Sequence, residues 1–443
     1  MHRTFGLLCA LFSGCALAGI PIQHWQQPSG AQVYLVESSA IPMVDVQIDF
    51  DAGGRRDPVD KPGLANLMAS ATDYGVRAMG DLPALDESAL SDAWADLGAS
   101  FGGSASADRM SFSLRSLTYP DLLAKAGALA ARQIGQPAFA PGPWLRDRPK
   151  LVANLKEANT RPATLAARAF AKAVYGNHPY GYESTEASLN RISVEDMAAL
   201  HARSLKSCAA KVSVVGALNR DQADALVNQI LAYLPKSGCE ALPAVAEVAP
   251  LRGASEQRIA FSSAQAHVLL GQPGFKRNSP DFFALTVGNH ILGGGGFTAR
   301  LTEEVREKRG LTYSVYSYFS PGLHAGAFTI GLQTRPDQAQ QALDLVRDVL
   351  ARFIQDGPTE KELQAAKDNL IGGFALRLDS NRKLLDNVAN IAWNGLPLDY
   401  LDTWTDQVQR LTVADVRSAM ARTLDPQRMA TILLGAADAS AVK

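Results

Sequence analysis

The chain has 443 residues, 47% hydrophobic and 20% charged, and 43 basic residues stand against 44 acidic ones for a formal net charge of -1. This is ordinary globular usage with material for more than one core, and the near-neutral balance supplies no single-sign field to draw in nucleic acid or an anionic membrane. No nucleic-acid partner is expected, and no stretch reaches the roughly 18 apolar residues of a membrane span, so no transmembrane segment is expected either.

The first residues carry a basic start, an apolar stretch over 5–17 and the small-x-small ending Ala16-Leu17-Ala18. That is the layout of a cleaved secretory signal peptide over 1–18 and predicts a periplasmic or otherwise exported protein. The alternative takes Phe12-Ser13-Gly14-Cys15 as a lipoprotein box with Cys15 lipidated. Phe12, where leucine is usual, weighs against it.

AQVYLVESS (31–39) and PMVDVQIDFDAGG (42–54) then alternate as paired strands, and GLANLMASATDYG (63–75) and ALDESALSDAWADLG (84–98) follow with helical periodicity. The strand signal returns in RMSFSLRSL (109–117), and helical patterns run over 140–174. KVSVVGAL (211–218) reads as a strand and DQADALVNQILAYL (221–234) as the helix after it. Cys208 precedes that strand and Cys239 lies just past that helix. A helix running back along its strand brings the two thiols together, and an oxidising compartment lets them pair. The resulting loop of about 32 residues is worth roughly 3 to 4 kcal/mol.

Residues 237–255 are rich in Ala and Pro without helical or strand period and read as a linker between a half at 30–236 and a half at 256–443. In the second half QAHVLLGQPGF (265–275) reads as a strand and FFALTVGNHILGG (282–294) as a helix. RLTEEVREKRG (300–310) reads as a charged helix running into a strand from Leu311, and HAGAFTIGLQT (324–334) as another strand. Laid over 411–436, residues 192–217 match without a gap at an offset of 219. Each copy is a helix opened by Ser193 or Thr412, with Asp196 or Asp415 in its first turn, and then a strand ending at Gly216 or Gly435. The chain reads as two homologous halves of an α+β protein, each a mainly antiparallel sheet with helices on one face.

GGRRDPVDKPGLANLMAS (53–70), HPYG (178–181), LGGGGFTARLTEEVREKRGLTYSVYS (292–317) and the internal duplication together resemble the pitrilysin/insulinase metallopeptidase family, in the small two-domain form that includes mitochondrial processing peptidase subunits. The resemblance implies two α/β-sandwich halves. It also implies an inverted zinc motif, H-x-x-E-H, in which two histidines one helical turn apart bind the metal and the glutamate activates a water. At those positions this chain has Asn66, Ala69 and Ser70, and the family's downstream glutamate ligand falls at about Asn154, with Glu157 one turn away. These residue types bind no zinc and offer no base. None of the seven histidines stands three or four residues from another, so no relocated site is expected. This chain should carry no cofactor, and zinc belongs to a partner.

Gly293, Gly294, Gly295 and Gly296 lack the Lys-Ser/Thr of a phosphate loop and suit close backbone approach, with a contact to peptide as the reading the resemblance adds. In the charged helix the acids stand early and Lys308 and Arg309 late, as the helix dipole favours, and Gly310 suits a left-handed cap. Arg306 has a bland reading as a solvated partner of Glu303 or Thr302, and Tyr313 one as a strand aromatic. Their spacing of seven instead resembles the Arg and Tyr that the family's C-terminal half aims at substrate. Two functions follow as expectations. One is a non-catalytic subunit that supplies Arg306 and Tyr313 to a homologous, H-x-x-E-H-bearing partner acting on a peptide substrate. The other is a stand-alone peptide-binding or scaffold protein.

Overall fold

The computed structural model describes residues 19–436; the signal segment expected over 1–18, with Cys15, lies outside the described residues. The first sheet is built from β1 (Gln23–Gln26), β2 (Gln32–Glu37), β3 (Met43–Phe50), β6 (Ser100–Ala105), β7 (Met110–Leu117) and β8 (Lys211–Gly216), with β4 (Gly75–Val76) and β5 (Leu85–Asp86) forming a small hairpin beside it. Its order is β1-β2-β8-β3-β7-β6, antiparallel except where β2 meets β8. The second sheet comprises β9 (Ser255–Ile259), β10 (Ala266–Pro273), β11 (Val315–Phe319), β12 (Ala327–Thr334) and β13 (Ala430–Leu434), in the order β11-β12-β10-β13-β9, with only β9 and β13 parallel.

Against one face of the first sheet pack α1 (Leu64–Ala71), α2 (Glu87–Asp96), α3 (Pro120–Gly135), α7 (Val194–Ser204) and α8 (Arg220–Ile230), closing a core around Phe50, Met68, Phe112 and Ile134. The first half also contains α4 (Pro141–Ala158), α5 (Pro162–Tyr175) and α6 (Glu186–Arg191). The second sheet receives α9 (Phe282–Asn289), α10 (Ala339–Asp356), α11 (Glu360–Gly372), α13 (Tyr400–Arg410) and α14 (Val413–Thr423) around Phe328, Val346 and Phe353. The remaining helix is α12 (Asn381–Asn394).

The 219-residue offset extends well beyond the stretch where residue identities disclose it. Pro120 and Ala339, Pro141 and Glu360, Pro162 and Asn381, and Val194 and Val413 each open equivalent helices 219 residues apart. Both α7 and α14 begin with a reciprocal cap, Ser193 with Asp196 and Thr412 with Asp415, which satisfies amides that otherwise have no partner.

The two halves exchange one helix each. From the second half, α12 crosses to the first sheet and buries Leu384, Leu385, Val388 and Ile391 against Val36 and Val215. From the first half, α5 crosses to the second sheet and buries Ala166, Phe170 and Val174 against Ala430, Ile432 and Leu434. Each sheet therefore also carries a helix on the face opposite its own helical layer. Full burial of an aliphatic or aromatic side chain is worth about 1.5–3 kcal/mol, so these two clusters bind the halves strongly. The end of α12 is also held by charge: Arg109 donates to the carbonyl of Ala389 at 3.2 Å, and Lys211 to those of Ala392 and Trp393 at 2.9 and 3.1 Å. Cations at a helix C-terminus satisfy carbonyls and complement the dipole.

Cys208 and Cys239 are joined by a disulfide with their Cα atoms 6.1 Å apart. One expectation needs correction. Leu311 does not begin a strand: its N–H returns to the carbonyl of Val305, and the hydroxyl of Thr312 donates to the carbonyls of Gln333 and Ser314, so pairing starts only at Val315. SFGGSA (100–105), glycine-rich and poor in strand formers, forms the edge strand β6, where a Cβ on Gly103 would come within 2.7 Å of both the Ala69 carbonyl and the Phe112 ring.

Candidate functional site

In the first half Gly63, at φ +98°, turns the chain into α1, and the Asp57 carboxylate accepts the N–H groups of Gly63 and Ala65 at 2.8 and 2.9 Å. The helix lies directly under β6: a Cβ on Gly103 would come within 2.7 Å of the Ala69 carbonyl. The Asn66 Oδ1 accepts the N–H of Ala105 at 3.2 Å, Ala69 is fully buried and Ser70 points into solvent. Asn154 is exposed on α4, and Glu157 is paired with Arg161 at 2.7 Å. An amide oxygen already in use, a methyl group and an isolated hydroxyl do not fit zinc. Among the described residues no three His, Cys, Asp or Glu side chains converge as metal ligands.

In the second half the helix below the edge strand widens. Beyond α9 the turns of residues 290–294 and 302–307 have π geometry, and the N–H of Lys308 bonds to the carbonyl of Glu303, five residues back, at 2.9 Å. Such widened turns recur at functional sites. This segment is anchored from below by fully buried Leu301 and Val305. It is also anchored by Arg300, which grips Glu362 in a two-pronged pair at 2.5 and 2.7 Å and donates to the carbonyl of Gly357. Burial pushes the Glu362 carboxyl up, but Arg300 and the Thr359 cap outweigh it and hold it down at about 2.

The surface charges are mostly accounted for: Lys308 pairs with Glu303 and Glu304, and Arg309 with Glu304. Gly310, at φ +59°, ends the segment. Arg306 pairs with neither Glu303 nor Thr302. Its Nε lies 3.3 Å from Glu307, and its guanidinium sits 4.9 Å from the centre of the Tyr313 ring. Tyr313 is 82% exposed, and neither its hydroxyl nor the Arg306 η-nitrogens make a hydrogen bond among the described residues. Structure thus brings the two together, on a connector rather than on a strand. Of the glycine run, Gly293 packs against Ser317, Gly294 against Asn289 and Gly295 against His290, while Gly296 faces open space.

Sequence reading missed the ground beside this corner. A cleft of about 370 Å³ runs from Ser314 along Tyr316 and Tyr318, between β11 and the alanine-lined side of α5. The two tyrosine rings stack 5.9 Å apart. The alternation in VYSYF carried that signal, since Val315 and Ser317 are buried and the tyrosines are not.

HPYG, too, has a place. The Tyr180 hydroxyl donates to Asp108 at 2.6 Å and accepts the N–H of His324 at 3.1 Å, and His178 bonds through Nε2 to the carbonyl of Ala246 at 2.9 Å. His324 in turn contacts Glu247 at 3.1 Å. Residues 178–181 thus tie the first half to the 246–247 segment and to the tip between β11 and β12. Burial holds the His178 pKa below its ordinary value, with nearby His324 acting the same way; burial and the Asp108 carboxylate push the Tyr180 phenol up.

Residues 191–370 match the family model described as peptidase M16 inactive domain. The crystal structure of a peptidase M16 inactive domain from Pseudomonas fluorescens superposes with a TM-score of 0.88 at 36% identity, covering 94% of this chain and 98% of that one. The chain belongs to the M16 peptidase family. It is an M16 chain without the zinc motif, and the non-peptidase homolog YmxG of Helicobacter pylori is 26% identical to it over 420 residues, 93% of each chain. An uncharacterized zinc protease of Streptomyces coelicolor is 34% identical over 231 residues, half of each chain. The periplasmic protease PqqL of Escherichia coli shares the M16 fold at a TM-score of 0.79 and 19% identity, this chain spanning 46% of its length. No helix among the described residues is long and apolar enough to cross a membrane.

Proposed function

We propose that this M16 chain is the non-catalytic subunit of an exported, heterodimeric zinc metalloendopeptidase. Its partner is a homologous subunit with an intact H-x-x-E-H helix, and the substrate is a peptide held between them. The supporting observation is that a half-buried Arg306 and an exposed Tyr313 are held together, with the hydroxyl and both η-nitrogens free among the described residues, in a chain whose metal helix has no usable donor. A guanidinium and a phenol are both hydrogen-bond donors. Placed at a scissile carbonyl, they stabilise the negative charge that develops on its oxygen, a contribution of about 2.7–4 kcal/mol per donor. The metal and the attacking water belong to the partner; this chain binds the peptide and polarises the bond. The glycine run takes part in substrate handling through its open end at Gly296.

Co-expression with a sibling bearing H-x-x-E-H, followed by co-purification and peptide cleavage with and without this chain, tests the proposal. Cleavage that needs both chains supports it. A sibling that cleaves equally well alone, with this chain never co-purifying, favours the stand-alone scaffold.

A further inference from the structure

Phe297 is 74% exposed at the end of the glycine run, and its ring centre lies 5.0 Å from the Arg306 guanidinium. Tyr313 faces the same guanidinium from 4.9 Å. Arg306 is therefore flanked by two aromatic rings and held at Nε by Glu307, with its η-nitrogens left unused. The backbone is shaped to produce this. A Cβ would lie 2.5 Å from Ser317 Oγ at Gly293, 2.8 Å from Asn289 Nδ2 at Gly294 and 2.7 Å from the His290 carbonyl at Gly295. Only glycine lets the chain pass so closely over the end of α9. Gly296, at φ +65°, then turns it in a left-handed step, after which Phe297 lies over Arg306.

We infer that Phe297 is a positioning residue that clamps Arg306 against Tyr313, and that the glycine run exists to deliver it there. This rests on the reading of Arg306 and Tyr313 as donors to substrate. A half-buried arginine whose guanidinium still reaches solvent can leave one rotamer for another, and a donor that must be ordered during the reaction loses part of its effect. Stacking between two π faces fixes the plane of the guanidinium beforehand and leaves its open edge for the carbonyl oxygen.

The test uses Phe297→Leu, which keeps apolar bulk and removes the π face, and Phe297→Trp, which restores one. In the reconstituted complex Phe297→Leu is expected to lower kcat about 2- to 5-fold, in line with the strength of an exposed cation–π contact, with KM unchanged. Phe297→Trp should recover most of the loss. In this chain alone, labelled with nitrogen-15 arginine, the Arg306 Nε–H resonance should lose a ring-current shift in Phe297→Leu and regain one in Phe297→Trp. If Arg306→Ala and Tyr313→Phe slow turnover while Phe297→Leu does not and leaves the resonance unmoved, the clamp fails alone. A rise in KM without loss of kcat also overturns it, since Phe297 would then be binding substrate directly. A complex indifferent to all three variants overturns the donor reading and the clamp with it.

Discussion

In each half a helix runs beneath the edge strand of its sheet, α1 beneath β6 and α9 with its widened continuation beneath β11. Both junctions are closed in the same way. A glycine admits the backbone, Gly103 over Ala69 and Gly293 against Ser317, and an asparagine bonds across, Asn66 to the Ala105 N–H and Asn289 to the Ser317 hydroxyl at 2.8 Å. They differ in what faces outward. The first junction shows solvent an amide and a hydroxyl; the second carries Phe297, Arg306 and Tyr313 on a π-turned segment anchored by Arg300 and Glu362. A fold can thus lose the donors of one half while the matching corner of the other retains groups that its own packing does not use.

The largest stability effect should come from restoring the glutamate in the first half. Ala69 is fully buried, so Ala69→Glu places an unpaired carboxylate in the core and is expected to cost about 3–5 kcal/mol, read as a fall in the urea midpoint. Unchanged stability would mean that this helix still has room for the lost chemistry. Next comes the Cys208–Cys239 bridge. Replacing both cysteines with serine should cost about 3 kcal/mol on the loop-entropy model, with cleavage by the complex unaffected if the bridge serves the first half alone.

Arg300→Ala should cost about 2 kcal/mol, because a half-buried charge-assisted pair is lost. It should also disturb the Arg306 corner, whereas Ala69→Glu should not; a reversed pattern would undo the distinction between the halves. The smallest effect concerns pH. The Glu362 pKa is depressed to about 2, so its stabilisation is full above the ordinary value of 4.5 and is lost as pH falls toward 2. The His178 pKa is also depressed, so its contribution is full above 6.5 and declines as pH falls below that. Hydrogen-exchange protection, taken relative to the intrinsic rate at each pH, should therefore fall at 178–181 and 246–247 on mild acidification, before that around Glu362. The opposite order would contradict the assignment.

The sequence made some of this plain and hid the rest for physical reasons. The gapless match of 192–217 with 411–436 was legible because capping and strand burial demand the same residue types in both copies, and the Arg306 and Tyr313 spacing was legible as a motif. The exchange of α5 and α12 was not: an apolar stripe shows that a helix buries one face, and nothing in it says whose sheet receives that face. Nor was the late start of β11, because Thr312 uses its hydroxyl where a strand would use its backbone. The exposure of Phe297 was hidden as well, since a phenylalanine after a glycine run reads as core until the left-handed turn at Gly296 is known.

Under the proposed function this chain contributes donors to a reaction whose metal lies elsewhere. The most direct test is single-turnover peptide cleavage by the reconstituted complex, with Tyr313→Phe and Arg306→Ala made separately in this chain. Each change should leave assembly and substrate affinity intact and slow the chemical step by roughly 100- to 1,000-fold, the loss typical of one oxyanion donor. Complexes that assemble normally and cleave at the unaltered rate would contradict it, leaving Arg306 and Tyr313 as surface residues of a scaffold.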